Sequence, residues 1–160
     1  MKLFIENMNE QIAKDILSWE YEKPYDFYNN ELTDEEMKER LDGSYYALVN
    51  DKKELFGFFC TGDNAQVPVG NKIGVYSDDS IDMGLGMNPK IVGKGNGFEF
   101  CSFILRCIEK NYIGSPIRLT VAKFNQRAIH LYEKLGFVKK DEFSTDFAEF
   151  MTMVKKTNYR

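Results

Sequence analysis

A single histidine, His130, in 160 residues removes any centre built on several imidazoles. The three cysteines, Cys60, Cys101 and Cys107, are odd in number and lack C-x-x-C spacing, so neither a disulfide framework nor a zinc site is suggested. No metal is expected, and the apolar settings of the thiols predict a reduced, cytoplasmic chain that buries them. There is no excess of basic charge either: the net charge of −4 argues against a general nucleic-acid binder, which usually carries a basic face. No apolar run approaches the roughly 20 residues that span a bilayer. The opening "MKLFIENMNEQ" reaches polar and charged residues too early for a signal peptide, so no membrane partner is expected. Repeats, low-complexity tracts and linkers are also missing. The expectation is one domain over residues 1–160, a length that can bury a real core.

What is there alternates between strand and helix patterns. "KLFIEN" predicts a first strand, and "NEQIAKDILSW" a helix capped by Asn9. "EYEKPYDFYNN" predicts an irregular or short helical connection broken by Pro24. Thr33 with Glu36 forms a capping box before "DEEMKERL", a helix that ends near Gly43. "SYYALVN" and "ELFGFFCTG" read as a hairpin around "DKK". "DNAQVPVGN" predicts a loop, "KIGVY" a short strand, and "SIDMGLGM" a strand weakened by Gly84 and Gly86. Phe98, Cys101, Ile104, Leu105 and Ile108 then recur at helical spacing, with Phe100, Phe103 and Cys107 on other faces, which predicts a largely buried helix. "SPIRLTVAK" is a β-branched strand. "NQRAIHLYEKLG" is a helix between the cap Asn125 and the stop Gly136, and "FVKKDEF" with "FAEFMTMVKK" supplies a final strand pair. The order specifies an α/β domain on a mixed sheet.

One stretch spends stability without an evident structural return. "NPKIVGKGNG" places Gly93, Gly95 and Gly97 directly before a helix, each costing about 1 kcal/mol relative to alanine in regular structure. Successive N–H groups there can face one concavity with no Cβ in the way, and the helix N-terminus adds roughly half a positive charge. Phosphate is the usual guest. A nucleoside-triphosphate loop would need Gly-Lys-Ser/Thr, yet Lys94 is followed by Gly95. A dinucleotide fingerprint would need G-x-G-x-x-G after a first strand, yet the run is G-x-G-x-G and comes late. A flexible turn before a buried helix stays open as the plain alternative.

"LTVAKFNQRAIHLYEKLGFVKK" resembles the second half of the acetyl-CoA-binding core of the GNAT superfamily of N-acetyltransferases. The pattern N-x-x-A-x-x-L-Y-x-x-x-G-F falls on Asn125, Ala128, Leu131, Tyr132, Gly136 and Phe137. "MGLGMNPKIVGKGNG" resembles the other half, and together they cover about residues 80 to 140, the expected coenzyme-binding core. The resemblance implies a GNAT-like α+β fold. Its mixed, mostly antiparallel sheet would have about six to seven strands flanked by about four helices, with a splayed pair of parallel strands. It implies acetyl-CoA as co-substrate, held by backbone amides around Gly93, Lys94, Gly95, Asn96, Gly97 and Phe98. Leu85 and Met87 would pair with the pantetheine arm, and Asn125 and Tyr132 would also contact it. Where the family has Arg or Gln to open this loop, the chain has Val92. That position supplies no guanidinium, and a charge-assisted bond is worth about 1.5–3 kcal/mol.

By the same resemblance Tyr132 stands beside the coenzyme sulfur. A thiol of pKa about 8.5 is a stronger acid than a phenol of pKa about 10, so full proton transfer is uphill by roughly 2 kcal/mol. Hydrogen bonding to developing thiolate is the safer role, and a plain core tyrosine is the alternative. An acceptor of lysine type, pKa about 10.4, must lose a proton at a cost of about 4.6 kcal/mol at pH 7; an α-amine costs about 1–1.4 kcal/mol. Asp82 is the side-chain candidate for that proton, ahead of Asp78 and Asp79, and a solvated carboxylate is its alternative. His130, two residues from Tyr132, faces elsewhere on the helix. The acid and aromatic residues of "WEYEKPYDFYNNE" and "YSDDSID" lean towards a cationic amine, small molecule or peptide. The expected enzyme, a monomer or homodimer, works by direct attack of the amine. A non-catalytic acetyl-CoA or CoA-binding module is the competing expectation, and a flavodoxin-like domain is disfavoured by the absence of an early phosphate loop.

Overall fold

Local signals account for most element boundaries in the computed structural model, which describes residues 2–156. The elements run β1 (Leu3–Asn7), α1 (Glu10–Leu17), α2 (Asp34–Arg40), β2 (Tyr45–Asn50), β3 (Leu55–Thr61), α3 (Pro68–Lys72), β4 (Ile81–Met87), α4 (Gly97–Asn111), β5 (Ile117–Ala122), α5 (Gln126–Lys134), β6 (Val138–Ser144) and β7 (Glu149–Lys155). The seven strands form one mixed sheet in the order β1-β2-β3-β4-β5-β7-β6. Short 3-10 turns cover Tyr25–Tyr28 and Asp63–Ala65. No helix among the described residues is long and apolar enough to cross a membrane.

The chain divides into two units. The first comprises the residues up to Cys60 together with Leu85–Glu99. Here Asn9 accepts from the Ile12 N–H and Thr33 from the Glu36 N–H, so both expected caps start their helices. Antiparallel β1–β2 and β2–β3 ladders follow. The turn between β2 and β3 is set by Asn50, whose Oδ1 accepts from the Lys52 and Glu54 amides at 2.9 and 3.0 Å. Gly86 has a definite packing reason. A Cβ built there would lie 2.5 Å from the Phe58 ring, so glycine lets β3 press an aromatic side chain against β4.

The second unit comprises Thr61–Gly84 and the chain from Phe100 onward. Its β5–β7 and β6–β7 ladders are antiparallel. The parallel register of β4 with β5 holds at Ile81–Ile117 and Asp82–Arg118. Two expectations are corrected here. "DNAQVPVGN" contains the helix α3, started by Pro68 at its first position, which raises the α-helix count to five. "KIGVY" is the end of that helix and a turn through Gly74 at φ +79°, not a strand. Val75 and Tyr76 are buried all the same, because the turn folds them onto Gly70. An apolar pair signals burial; it does not specify a strand. In α4 the buried residues are Phe100, Cys101, Ile104, Leu105 and Ile108, whereas Phe98 in the first turn is 50% exposed. Cys60 and Cys101 are buried as expected and Cys107 half-buried. Burial pushes the Cys101 thiol up to about 12, so it is no nucleophile near neutral pH.

Candidate functional site

In the first unit the end of β4 and the glycine run form one continuous feature. The Asn88 N–H donates to Phe56 O at 2.9 Å, and its side-chain amide donates to Leu55 O at 3.0 Å. Its Oδ1 accepts from the Lys90 N–H at 3.0 Å, an Asx turn at the Asn-Pro step. A planar trans peptide points its C=O opposite to its N–H. The Met87 carbonyl therefore faces away from β3, and strand alternation turns Leu85 to that same edge. The Met87 carbonyl accepts from the Tyr21 hydroxyl at 2.6 Å. Burial raises that phenol to about 12. Its neutral, donating form is therefore complete below pH 10 and is lost only as pH climbs through about 12.

Beyond Asn88 the chain turns into α4. The Ile91 and Val92 amides donate to Asn88 O, so the Val92 N–H is already committed. Gly93 and Gly95 sit at φ +77° and +82°, and among the described residues no backbone acceptor takes the amides of Gly93, Gly95 or Asn96. Alternating left-handed glycines ahead of a helix aim successive N–H groups into one concavity. A Cβ at Gly95 would meet nothing within 4 Å, so backbone conformation, not crowding, is what demands glycine there.

In the second unit, α5 carries Asn125 and Tyr132. Asn125 caps the helix, its Oδ1 accepting from the Ala128 N–H at 3.1 Å. Tyr132 is 8% exposed and meets Phe137 edge-on at 5.9 Å between ring centroids. Asp82 lies elsewhere, in a buried ion pair. Its Oδ1 accepts from Arg118 Nε at 2.6 Å and its Oδ2 from Arg118 Nη2 at 2.8 Å and Gln66 Nε2 at 2.7 Å. Asp82 and Arg118 are 4% and 1% exposed. Arg118 also donates to Asp78 O and Tyr76 O and stacks 5.1 Å over the Tyr76 ring. The Asp82 hydrogen bonds push the guanidinium pKa further up. Tyr76 shares a 2.7 Å hydrogen bond with Thr120 and accepts from the Val67 N–H. This network floors a cleft of about 470 Å³ whose lining includes Asp63, Asp78, Asp79 and Tyr112. Asp78 is also paired with Lys140.

The acetyltransferase (GNAT) family model matches residues 11–137. The chain belongs to this family. No curated protein matches the sequence significantly. Among solved structures, the chain is similar to a GNAT-family acetyltransferase from Bacillus anthracis. That pair shares 14% identity, covers 98% of this chain and 95% of the other, and has a TM-score of 0.72. A spermidine N-acetyltransferase, a SpeG chimera from Vibrio cholerae and hSSAT, is 20% identical, covers 98% and 96%, and has a TM-score of 0.67. An aminoglycoside acetyltransferase, AAC(6')-Ib, in complex with coenzyme A is 14% identical, covers 97% and 95%, and has a TM-score of 0.72. At such identities these neighbours establish the GNAT fold, with its seven-stranded sheet and one parallel pair. The chain is an acetyltransferase of a family that uses acetyl-CoA.

Set against that chemistry, the GNAT-type chain's own residues fit a coenzyme at the glycine run, where amides without backbone acceptors meet the start of α4. Asp82 fits a proton acceptor poorly. Both its oxygens already accept hydrogen bonds from a buried guanidinium and an amide, so neither is turned towards an amine. Three residues went unremarked in the sequence: Asn88, Tyr21 and Arg118. Asn88 lay in the Asn-Pro turn dipeptide and Tyr21 in the aromatic, acidic stretch "WEYEKPYDFYNNE", whereas Arg118 carried no signal.

Proposed function

We propose that this acetyltransferase is one catalytic domain that transfers the acetyl group of acetyl-CoA to a primary amine of a small molecule or peptide, by direct attack within a ternary complex. The observation that carries it is the cradle at Gly93–Gly97, with positive-φ glycines and uncommitted amides heading a 15-residue helix. Bound acetyl-CoA supplies an activated acyl group and a thiolate leaving group. The amides from Gly93 to Phe98, with Lys94, hold its pyrophosphate. The edge of β4 at Leu85 and Met87 takes the pantetheine arm. Val92 contributes no charge, and its amide serves the turn. Tyr132 donates a hydrogen bond towards the developing thiolate. The amine's proton passes to water, because Asp82 is engaged by Arg118.

The test is thiol release from acetyl-CoA across a panel containing spermidine, an aminoglycoside and a lysine-bearing peptide, alongside the acetyl-CoA-induced shift in Tm. Release with at least one amine is expected. A Tm shift without thiol release from a wide panel would favour a non-catalytic coenzyme-binding module, for which the neutral Val92 is the one argument. The absence of any shift would remove the coenzyme itself.

Gly95→Val tests the cradle directly. A left-handed conformation costs an L-residue roughly 1–2 kcal/mol, more for a β-branched one, so the loop leaves its present path. Titration calorimetry should show CoA affinity lower by about ten-fold or more. Unchanged affinity would place the pyrophosphate elsewhere.

A further inference from the structure

The peptide unit joining Met87 to Asn88 is held from both sides. Its N–H donates to Phe56 O on β3, and its C=O accepts from the hydroxyl of Tyr21, 66 positions earlier in the chain. Tyr21 belongs to the segment between α1 and α2, in which Glu20, Glu22, Lys23, Asp26 and Asn30 are exposed. The segment is closed on itself, because the Tyr21 N–H donates to Asn29 Oδ1 at 2.8 Å around the Tyr25–Tyr28 turn. Trp19, two residues before Tyr21, lies 6.1 Å from the Phe58 ring, the ring that Gly86 admits against β4. The Tyr21 hydroxyl thus ties the aromatic, acidic segment to the last residues of β4, next to the Trp19–Phe58 ring contact on β3.

We propose that Tyr21 is a positioning residue that makes the order of residues 20–29 depend on what occupies the edge of β4. This rests on the placement of the coenzyme arm at Leu85 and Met87 proposed above. A carbonyl oxygen has two lone pairs, so the Met87 oxygen can keep the phenol while also receiving an amide from the arm. An arm paired along that edge restrains the Met87–Asn88 peptide and so restrains its Tyr21 partner. Ordering one partner lowers the cost of ordering the other, so coenzyme and segment are coupled. The segment carries Tyr25, Asp26 and Tyr28, side chains suited to a cationic amine, so the coenzyme would prepare the amine's surroundings before the amine arrives.

The experiment is amide hydrogen exchange by mass spectrometry on the full chain, wild type and Tyr21→Phe, with and without CoA. Tyr21→Phe keeps the ring and removes only the donor, and equal circular dichroism spectra would verify that both fold alike. Without ligand, peptides covering residues 20–29 should exchange about three- to ten-fold faster in Tyr21→Phe, as the loss of one hydrogen bond implies. With saturating CoA the same peptides should slow further in wild type and much less in Tyr21→Phe. Equal exchange in the two ligand-free proteins would overturn the anchor. Equal CoA protection in both would overturn the coupling. If CoA bound neither protein, the coenzyme reading and the coupling would fall together, while the ligand-free comparison would still judge the anchor.

Discussion

Arg118→Met should cost this protein about 3–5 kcal/mol of stability, because it strands a buried carboxylate. Among the described residues Asp82 would keep Gln66 as its side-chain partner, at 4% exposure, with little solvent to replace the lost guanidinium. The same change removes donors from the Tyr76 and Asp78 carbonyls and the cation stacked on Tyr76. For a chain of this length each kcal/mol lowers Tm by about 2–4 °C, so the drop should be roughly 6–20 °C in a thermal melt. The double variant Asp82→Leu/Arg118→Met should regain most of it, since desolvation takes back much of a buried pair's Coulomb gain. A loss below about 1 kcal/mol would mean that water reaches the pair. The companion variant Asp82→Asn separates bracing from catalysis. Measured well below its melting temperature, it should keep kcat within about ten-fold, whereas a true general base would lose about 10²–10⁴-fold.

Tyr132→Phe carries the other large effect, on rate instead of stability. Phenylalanine preserves the edge-on contact with Phe137 and the volume packed on α5, and equal melting temperatures would verify that both proteins fold alike. Only the hydroxyl is lost. One hydrogen-bond donor aimed at charge that develops in the transition state is typically worth about 10²–10³ in kcat. Steady-state kinetics with whichever amine the panel identifies should show a fall of about that size, with CoA affinity within about two-fold. A kcat within about three-fold of wild type would make Tyr132 a core residue and nothing more. Because phenol-to-thiolate proton transfer is uphill by roughly 2 kcal/mol, a flat thiol pKa dependence in acyl-donor analogues would also speak for hydrogen bonding over full transfer.

Much of this reading was open to inspection in one dimension, for a physical reason that differs by element. The caps at Asn9, Thr33 and Asn125 and the stop at Gly136 bond or bend within four residues of themselves, so their signal is local. The glycine run was legible because positive φ is a property of the residue itself, and Gly93 and Gly95 adopt it. By contrast, "KIGVY" looked like a strand because apolar alternation reports burial, and a turn can bury Val75 and Tyr76 equally well. Phe98 looked like core because helical periodicity does not say where the covered part of a helix begins.

Sequence alone thus determined the class of protein, most of the order of its elements, the left-handed glycines of "NPKIVGKGNG" and the place of Tyr132 on α5. These rest on caps, turn residues and motif spacing, whose energetics act over a few residues. Tertiary structure alone decided which polar groups were already taken. Asp82 meets Arg118 across 36 positions and Tyr21 meets Met87 across 66, and no local term encodes either partner. A carboxylate's chemistry depends on what replaces its water, and that is settled only when distant strands and loops close around it.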